Sequence, residues 1–392
     1  MSEIQFKPFG SLLKKIIDNR GKTCPTSDTG LPLIATNCIS NKQLYPVHSK
    51  VRFVDEHTYI HWFRGHPEPD DMIFVTKGTP GRVCWVPNPV DFCIAQDMLS
   101  IRPDKGKVYP KYLFAALRSK TIQQEIEGLH VGSLIPHFKK GDFNELQIPI
   151  PSKEIQEYIG DQYFNLCLKI DLLHRQNATL EKMAETLFRQ WFVEEAKEEW
   201  DYQLTLGDLI ESVSITHKFP NPSVVFLNTS DIYLGNVIEH NHTSVKGLPG
   251  QAKKTIRKDD ILFSEIRPAN GRWAYIDFEA ENYVVSTKLM VLRSKNVLSQ
   301  AFIYFYLTNP ATVEWLQMIA ESRSGTFPQI TFDQIRDLKI NVPSEKILQD
   351  SIIWCESTLK KIKFNQTQIR TLTTLRDTLL PKLMSGEVRV IP

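Results

Sequence analysis

One long apolar seam, present twice, limits what this chain can become. Between residues 151 and 192 it runs through Ile159, Tyr163, Leu166, Ile170, Leu173, Asn177, Leu180, Ala184, Leu187 and Trp191. Steps of four and then three residues place one stripe along a helix of about 40 residues, roughly 60 Å long. Moved on by 192 positions, the difference between Pro151 and Pro343, the seam returns as Ile362, Asn365, Ile369, Leu372, Arg376, Leu379 and Leu383. Identities at that offset begin before the helix, with Pro136/Pro328, Leu146/Leu338, Ser152/Ser344 and Ile155/Ile347. They continue through Lys169/Lys361, Gln176/Gln368, Leu180/Leu372 and Leu187/Leu379. An ungapped offset over that span is an internal repeat. A helix with one apolar stripe cannot bury it alone. Either each helix serves its own duplicated domain, or the two pair antiparallel and hold two globular modules apart.

At 392 residues the chain exceeds one ordinary core. Its composition, 42% hydrophobic and 23% charged, is that of a soluble globular protein. No apolar run is long enough for a membrane span, and residues 1–15 lack the hydrophobic centre of a signal peptide, so a cytoplasmic location is expected. Six cysteines without a Cys-x-x-Cys pair are expected as reduced thiols. A net charge of +2 neither demands nor excludes nucleic acid, because a local basic face suffices to bind phosphate.

The expected class is α/β (α+β), with two pseudo-symmetric globular domains separated by two long antiparallel coiled-coil helices. The division is 1–151, a first recognition domain; 152–199, a first helix; 200–343, a second recognition domain; and 344–392, a second helix and tail. Strands are expected at Leu31-Pro32-Leu33-Ile34-Ala35, Met72-Ile73-Phe74-Val75 and Arg82-Val83-Cys84-Trp85-Val86, with a breaker-rich turn at residues 77–81. Residues 91–101 read as a strand pair and residues 110–128 as one helix. The prolines of Ile148-Pro149-Ile150-Pro151 keep that segment off a central sheet position. Ser152 is placed to cap the first long helix, which runs out in the acidic stretch 194–199; Gly386 stops the second. Asp260-Ile261-Leu262-Phe263 answers Asp71-Met72-Ile73-Phe74, and residues 267–272 take the place of the breaker turn.

Two divergent modules alternating with two similar helices form the layout of the specificity subunit of Type I restriction-modification enzymes. The chain resembles that family over essentially its whole length. The resemblance rests on residues 71–83 and their copy at 260–276, the Gly/Ser turns ending at Pro136 and Pro328, and Ile148-Pro149-Ile150-Pro151 with Ile340-Asn341-Val342-Pro343. The tail Leu379-Leu380-Pro381-Lys382-Leu383-Met384-Ser385-Gly386-Glu387-Val388 also carries it. The resemblance implies a non-catalytic chain whose two recognition domains each read one half of a bipartite, asymmetric site in double-stranded DNA. It implies helices that space the readers and dock methyltransferase subunits, with restriction/translocase subunits as further partners. S-adenosylmethionine, ATP and Mg are then expected in those partners, with no cofactor in this chain.

Candidate DNA contacts follow from chemistry: Arg forks onto guanine, Asn onto adenine, and Lys, Thr and backbone amides suit phosphate. Around the first breaker turn lie Lys77, Thr79 and Arg82; around the second, Arg267, Asn270 and Arg272. Ser133, His137, Lys139 and Lys140, with Arg323, Ser324 and Thr326, form another set. Thr36, Asn37 and Asn41, with Asn228, Thr229 and Ser230, follow strands and form a third. The alternative for each is a solvated loop residue. His57, His61 and His66 have helical metal spacing without a second ligand pair, so packing or exposed histidines are expected, and His240 and His242 read as loop residues. No phosphate loop, dinucleotide fingerprint or base-gripping Asn/Asp-Pro-Pro-aromatic motif is present, which argues against a self-contained methyltransferase. The competing reading from another class is a coiled-coil scaffold for protein partners without DNA binding. Asn177 and Asn365 interrupt the seams, and an antiparallel pair centred near residues 175 and 367 would bring them together and fix its register.

Overall fold

The structure, a computed structural model, describes residues 4–129, 136–139, 141–194, 203–295, 298–323, 325–341 and 345–388. The chain divides into two compact units: Met1–Arg175 with Gln366–Pro392, and Gln176–Asn365.

The first unit opens with β1 (Gln5–Pro8), β2 (Leu13–Ile17), β3 (Leu31–Ile34), β4 (Arg52–Val54) and the short helix α1 (Glu56–His61). Next come β5 (Met72–Val75), β6 (Val83–Trp85), β7 (Cys93–Ile94) and β8 (Met98–Pro103). Helices α2 (Pro110–Arg118), α3 (Lys120–Gly128) and α4 (Asp142–Glu145) precede β9 (Gln147–Ile150) and the long α5 (Lys153–Arg189). One sheet has the order β2-β8-β5-β6, a second β4-β3-β7, and β1 pairs with β9.

The second unit repeats this plan. Its chain runs β10 (Gln203–Thr205), α6 (Leu206–Leu209), β11 (Ile210–Ser212), β12 (Ser223–Leu227), β13 (Ile232–Tyr233), β14 (Asn236–Val237), β15 (His242–Ser244) and β16 (Ala252–Thr255). It continues through β17 (Ile261–Ser264), β18 (Trp273–Tyr275), β19 (Tyr283–Ser286), β20 (Leu289–Ser294), α7 (Gln300–Thr308), α8 (Pro310–Arg323), α9 (Phe332–Ile335), β21 (Lys339–Asn341) and α10 (Glu345–Ser385). The sheet orders are β11-β20-β17-β18, β15-β12-β19-β16 and β10-β21, with β13-β14 as a small hairpin. Among the strands of the described residues, each unit has one parallel pair, β3 with β7 or β12 with β19, among antiparallel ones.

The central strands explain their unbroken apolar runs. Met72 and Phe74 join the cluster that includes α2, α3 and the long helices, whereas Ile73 and Val75 join the cluster of the second sheet. Alternate side chains of one strand therefore enter two different cores, so every position is buried. Ile261, Phe263 and Leu262 divide in the same way.

Both long helices appear where the seam predicts. In the first unit Ile159, Tyr163, Phe164 and Cys167 of α5 share a cluster with Leu380 and Leu383 near the end of α10. In the second unit Ala184 and Phe188 share one with Cys355, Leu359 and Ile362. Early residues of one helix thus meet late residues of the other: the helices run antiparallel. No predicted seam position of α5 is exposed, but Phe164, Cys167 and Phe188 are buried too, so the stripe is broader than a strict heptad. Gly386 stops α10 in a left-handed conformation, φ 74°.

Two local expectations are corrected. Residues 91–101 hold two strands that do not pair together. β7 takes β3 as partner, while β8 lies between β2 and β5, because Asp97 turns the chain in a left-handed conformation, φ 63°. Residues 110–128 form two helices. Ser119 is extended, φ −66° and ψ 148°, and its hydroxyl caps α3 by accepting from the Ile122 amide. Hydrophobic periodicity registers neither, because a cap or a single left-handed residue leaves the apolar pattern intact.

Candidate nucleic-acid interface

The breaker turns are built alike in both units. The first joins β5 to β6 and is braced by the segment ending the Gly/Ser turn: the Gly78 amide donates to Pro136 O at 3.0 Å, and the Phe138 amide to Thr76 O at 2.6 Å. In the second unit the Arg267 amide donates to Pro328 O at 3.1 Å, and the Ile330 amide to Glu265 O at 2.8 Å. Bridges Lys77–His137 and Ile266–Gln329 complete the correspondence. Two candidate sets far apart in sequence therefore form one surface in each unit. Lys77, Thr79 and Lys139 are exposed on the first and His137 is half-buried there; Arg267, Asn270 and Thr326 are exposed on the second. Arg267 holds φ 44° and donates Nη2 to Thr326 O at 3.3 Å. Ser133, Lys140, Ser324 and the side chain of Arg323 lie outside the described residues.

The first surface borders an open polar cleft of about 570 Å³, lined by Arg20, Lys22, Thr76, Lys77, Gln96, Asp97, His137 and Lys139 among others. Asp18 fixes Arg20 through bonds of 2.9 and 2.8 Å, and Arg20 Nη1 reaches Thr76 Oγ1 at 3.3 Å. The Arg20 side chain holds the Asp18 carboxyl below the usual carboxylate range. Partial burial lowers the His137 pKa, and the charges of Arg20, Lys77 and Lys139 lower it further. The cleft mixes both signs: Arg20 faces Asp18 at 2.8 Å and Lys77 faces Asp97 at 4.0 Å, while Lys22, His137 and Lys139 also line it. Arg20, Lys22 and Gln96 escaped sequence reading; the one available signal was the pair of cations flanking Gly21, three residues in a segment without periodicity.

At matched backbone positions the side chains change. Thr76, Lys77, Gly78, Asp97 and His137 give way to Glu265, Ile266, Arg267, Lys288 and Gln329, as the shared hydrogen bonds and bridges define them. Lys288 Nζ lies 4.0 Å from Glu265 and 3.5 Å from Gln329 Oε1. Burial raises the Glu265 pKa against the opposing charges of Lys254 and Lys288.

The chain matches the family described as Type I restriction modification DNA specificity domain, over residues 22–182 and again over 197–374. It belongs to this family. It is 42% identical to the HindI Type I restriction enzyme specificity subunit of Haemophilus influenzae over 179 residues, 45% of this chain and 39% of that protein. It is 26% identical to the MjaIX specificity subunit of Methanocaldococcus jannaschii over 351 residues, 82% of this chain and 78% of that one. Its fold is similar to the crystal structure of the Type I restriction-modification S subunit from M. genitalium, with a TM-score of 0.60 at 17% identity, covering 97% and 96% of the two chains.

In this member of the specificity family, several candidates are committed to backbone. Arg82 donates Nη1 to Ile39 O at 3.1 Å and Nε to Thr79 O at 3.4 Å. Arg272 donates Nη1 to Ser230 O at 3.0 Å and Ile232 O at 3.1 Å, with its guanidinium 5.4 Å from the Tyr233 ring centre. Asn41 accepts from the Val83 amide at 2.8 Å, Asn37 donates to Ser49 O at 2.7 Å, and Asn228 caps the short helical turn Thr229–Asp231. These bonds place the third candidate set beside the breaker turns, since the arginine of each turn reaches the loop that follows each short helical turn. Thr36 lies in such a turn, Thr36–Cys38.

The seam asparagines meet: Asn365 Nδ2 donates to Asn177 Oδ1 and to Gln176 Oε1, both at 2.8 Å, and Asn365 is fully buried. A repeated buried ion pair had no sequence signal. Asp71 is 1% exposed and receives Arg102 Nε at 2.7 Å and Nη2 at 3.0 Å; Asp260, also 1% exposed, receives Arg293 Nε at 2.6 Å and Nη2 at 2.9 Å. The His57 and His61 rings lie 4.5 Å apart, tilted by 30°, along α1, and His66 stacks on Tyr59 at 3.9 Å. His240 Nδ1 lies 2.9 Å from Tyr283 Oη, and His242 is exposed in β15. Among the described residues no group of three or more possible metal ligands occurs, and no helix is long and apolar enough to cross a membrane.

Proposed function

We propose that this chain is the DNA-reading subunit of a Type I restriction-modification complex, each recognition domain reading one half of a bipartite, asymmetric duplex site. The observation that carries this reading is the pair of breaker-turn surfaces, alike in backbone bonding and different in side chains. Similarly bonded scaffolds with Thr76, Lys77, Asp97 and His137 on one and Glu265, Ile266, Lys288 and Gln329 on the other suit two different sequences. The contacts would be made by Lys77, Thr79, His137 and Lys139, with Arg20, Lys22 and Gln96, in the first domain. In the second they would be made by Arg267, Asn270 and Thr326, together with Lys288 and Gln329. Arg82 and Arg272 mainly hold their turns in place.

On this reading the chain is non-catalytic and works in the cytoplasm. Methyltransferase subunits dock on the paired helices, whose register Asn177 and Asn365 set; restriction/translocase subunits join them. S-adenosylmethionine, ATP and Mg belong to those partners. Sequencing modified adenines in cells with and without this chain tests the proposal: one split motif should lose methylation on its removal. Purified chain should bind a duplex of that motif with an affinity falling steeply as salt rises. A methylome unchanged by removal of the chain would reject the reading.

A further inference from the structure

Each breaker turn is fastened, through its neighbouring loop, to one buried cation of the same helix, α10. In the first unit this cation is Arg376, 3% exposed, which donates Nη1 to Lys42 O at 3.1 Å. Lys42 belongs to a loop whose carbonyls are taken up from several sides: Ile39 O by Arg82, Ser40 O and Gln43 O by Arg118, and Leu44 O by the Trp85 amide. The Asn41 side chain closes the circuit by accepting from the Val83 amide at the end of the breaker turn.

In the second unit the cation is Lys363, 8% exposed, which donates Nζ to Gly235 O at 2.7 Å and to Tyr275 O at 3.3 Å. Gly235 donates its amide to Trp273 O at 2.9 Å, and Leu234 donates to Gly271 O at 2.8 Å, tying this loop to the second breaker turn. The Trp85 amide on Leu44 O and the Tyr275 amide on Gly235 O make the two loops equivalent. Arg376 and Lys363 are not equivalent under the repeat, being 13 residues apart on one helix. The same mechanical task is performed twice by unrelated positions.

We propose that Arg376 and Lys363 are positioning residues that set the placement of the first and second reading turns, so that α10 governs the selectivity of each recognition domain separately. Burying a cation is costly unless its donors are answered, which Lys42 O and Asp377 Oδ1, at 2.8 Å from Nε, do for Arg376, and Gly235 O and Tyr275 O do for Lys363. Methionine keeps most of the aliphatic stem of either side chain without its charge, so a role in packing by that stem alone would not require the cation. The proposal rests on the DNA-reading function above, but its first test does not.

Hydrogen exchange on the full chain compares Arg376→Met and Lys363→Met with the unsubstituted protein. Arg376→Met should speed exchange at residues 39–44 and 77–83 by about tenfold or more, leaving 230–235 and 267–275 unchanged; Lys363→Met should do the reverse. Arg376→Lys and Lys363→Arg, which keep the charge and a donor, should restore most of the protection. In a second arm, binding to duplexes substituted in one half-site should show discrimination lost only in the half read by the affected unit. Equal acceleration in both units, no acceleration, or failure of the conservative variants to restore protection overturns the proposal. Should one variant not fold, the other decides for its own unit. If the unsubstituted chain shows no sequence preference for duplex DNA, the function above falls while the exchange result still decides the clamp.

Discussion

Removing the Asp71 carboxylate should destabilise the first unit by about 3 kcal/mol, the low end of what stranding one member of a buried pair costs. In Asp71→Ala the Arg102 guanidinium loses two charge-assisted bonds, of 2.7 and 3.0 Å, and the Glu68 amide and Ser100 hydroxyl lose their acceptor at 2.9 and 3.1 Å. The low end applies because the Arg102 side chain is 22% exposed and keeps Glu68 Oε2 at 2.9 Å, so water and one carboxylate still answer its charge. Hydrogen exchange at the amides of β5 and β8 in the full chain is the assay, since two units need not unfold together. At 1.4 kcal/mol per factor of ten, exchange should quicken about 100-fold. Asp71→Leu combined with Arg102→Met should recover only part of the loss, because it removes the stranded Arg102 charge while the Glu68 amide and the Ser100 hydroxyl still lack their acceptor. A loss under about 1 kcal/mol in Asp71→Ala, the range of an exposed ion pair, would refute the reasoning. The matching change, Asp260→Ala, should cost more, about 4 kcal/mol, since the Arg293 side chain is only 12% exposed.

Other perturbations have equally definite outcomes. Asn365→Leu takes the donor away from Asn177 Oδ1 in a buried seam, while Asn177 Nδ2 keeps Ile362 O at 3.4 Å, and should cost about 1–3 kcal/mol in urea unfolding, with much of it recovered when Asn177→Leu is added. Gly235→Ala, at φ 85° with its new Cβ 2.2 Å from the Tyr304 hydroxyl, should destabilise the second unit by at least about 2 kcal/mol by the same measurement. His137 has a lowered pKa, so it is neutral in the free protein near pH 7. Protonation then favours the unfolded chain, a penalty absent at high pH that grows as pH falls through about 6.5. A bound phosphate reverses the preference, so duplex affinity should rise from pH 8 to pH 6, and His137→Gln should flatten that rise. An affinity independent of pH in the unsubstituted chain would remove His137 from the interface.

The duplication, the central strands, the two long helices and the meeting of Asn177 with Asn365 were all legible in the residues. Each rests on a period or an offset: apolar side chains must recur at 3.6 or 2 residues to reach a core, and a duplicated framework keeps its spacing. Tertiary structure decided the rest. Nothing local tells Cys93 and Ile94 to join β3 while Met98 joins β5, or announces that Arg102 and Arg293 turn inward to a carboxylate about 30 residues earlier. Arg82 and Arg272 look like base readers until their guanidinium groups are seen on backbone carbonyls, and Arg376 looks like a flaw in an apolar seam until Lys42 O is found above it. A long polar side chain takes its role from whichever groups the finished fold leaves without a partner, and those groups come from distant parts of the chain.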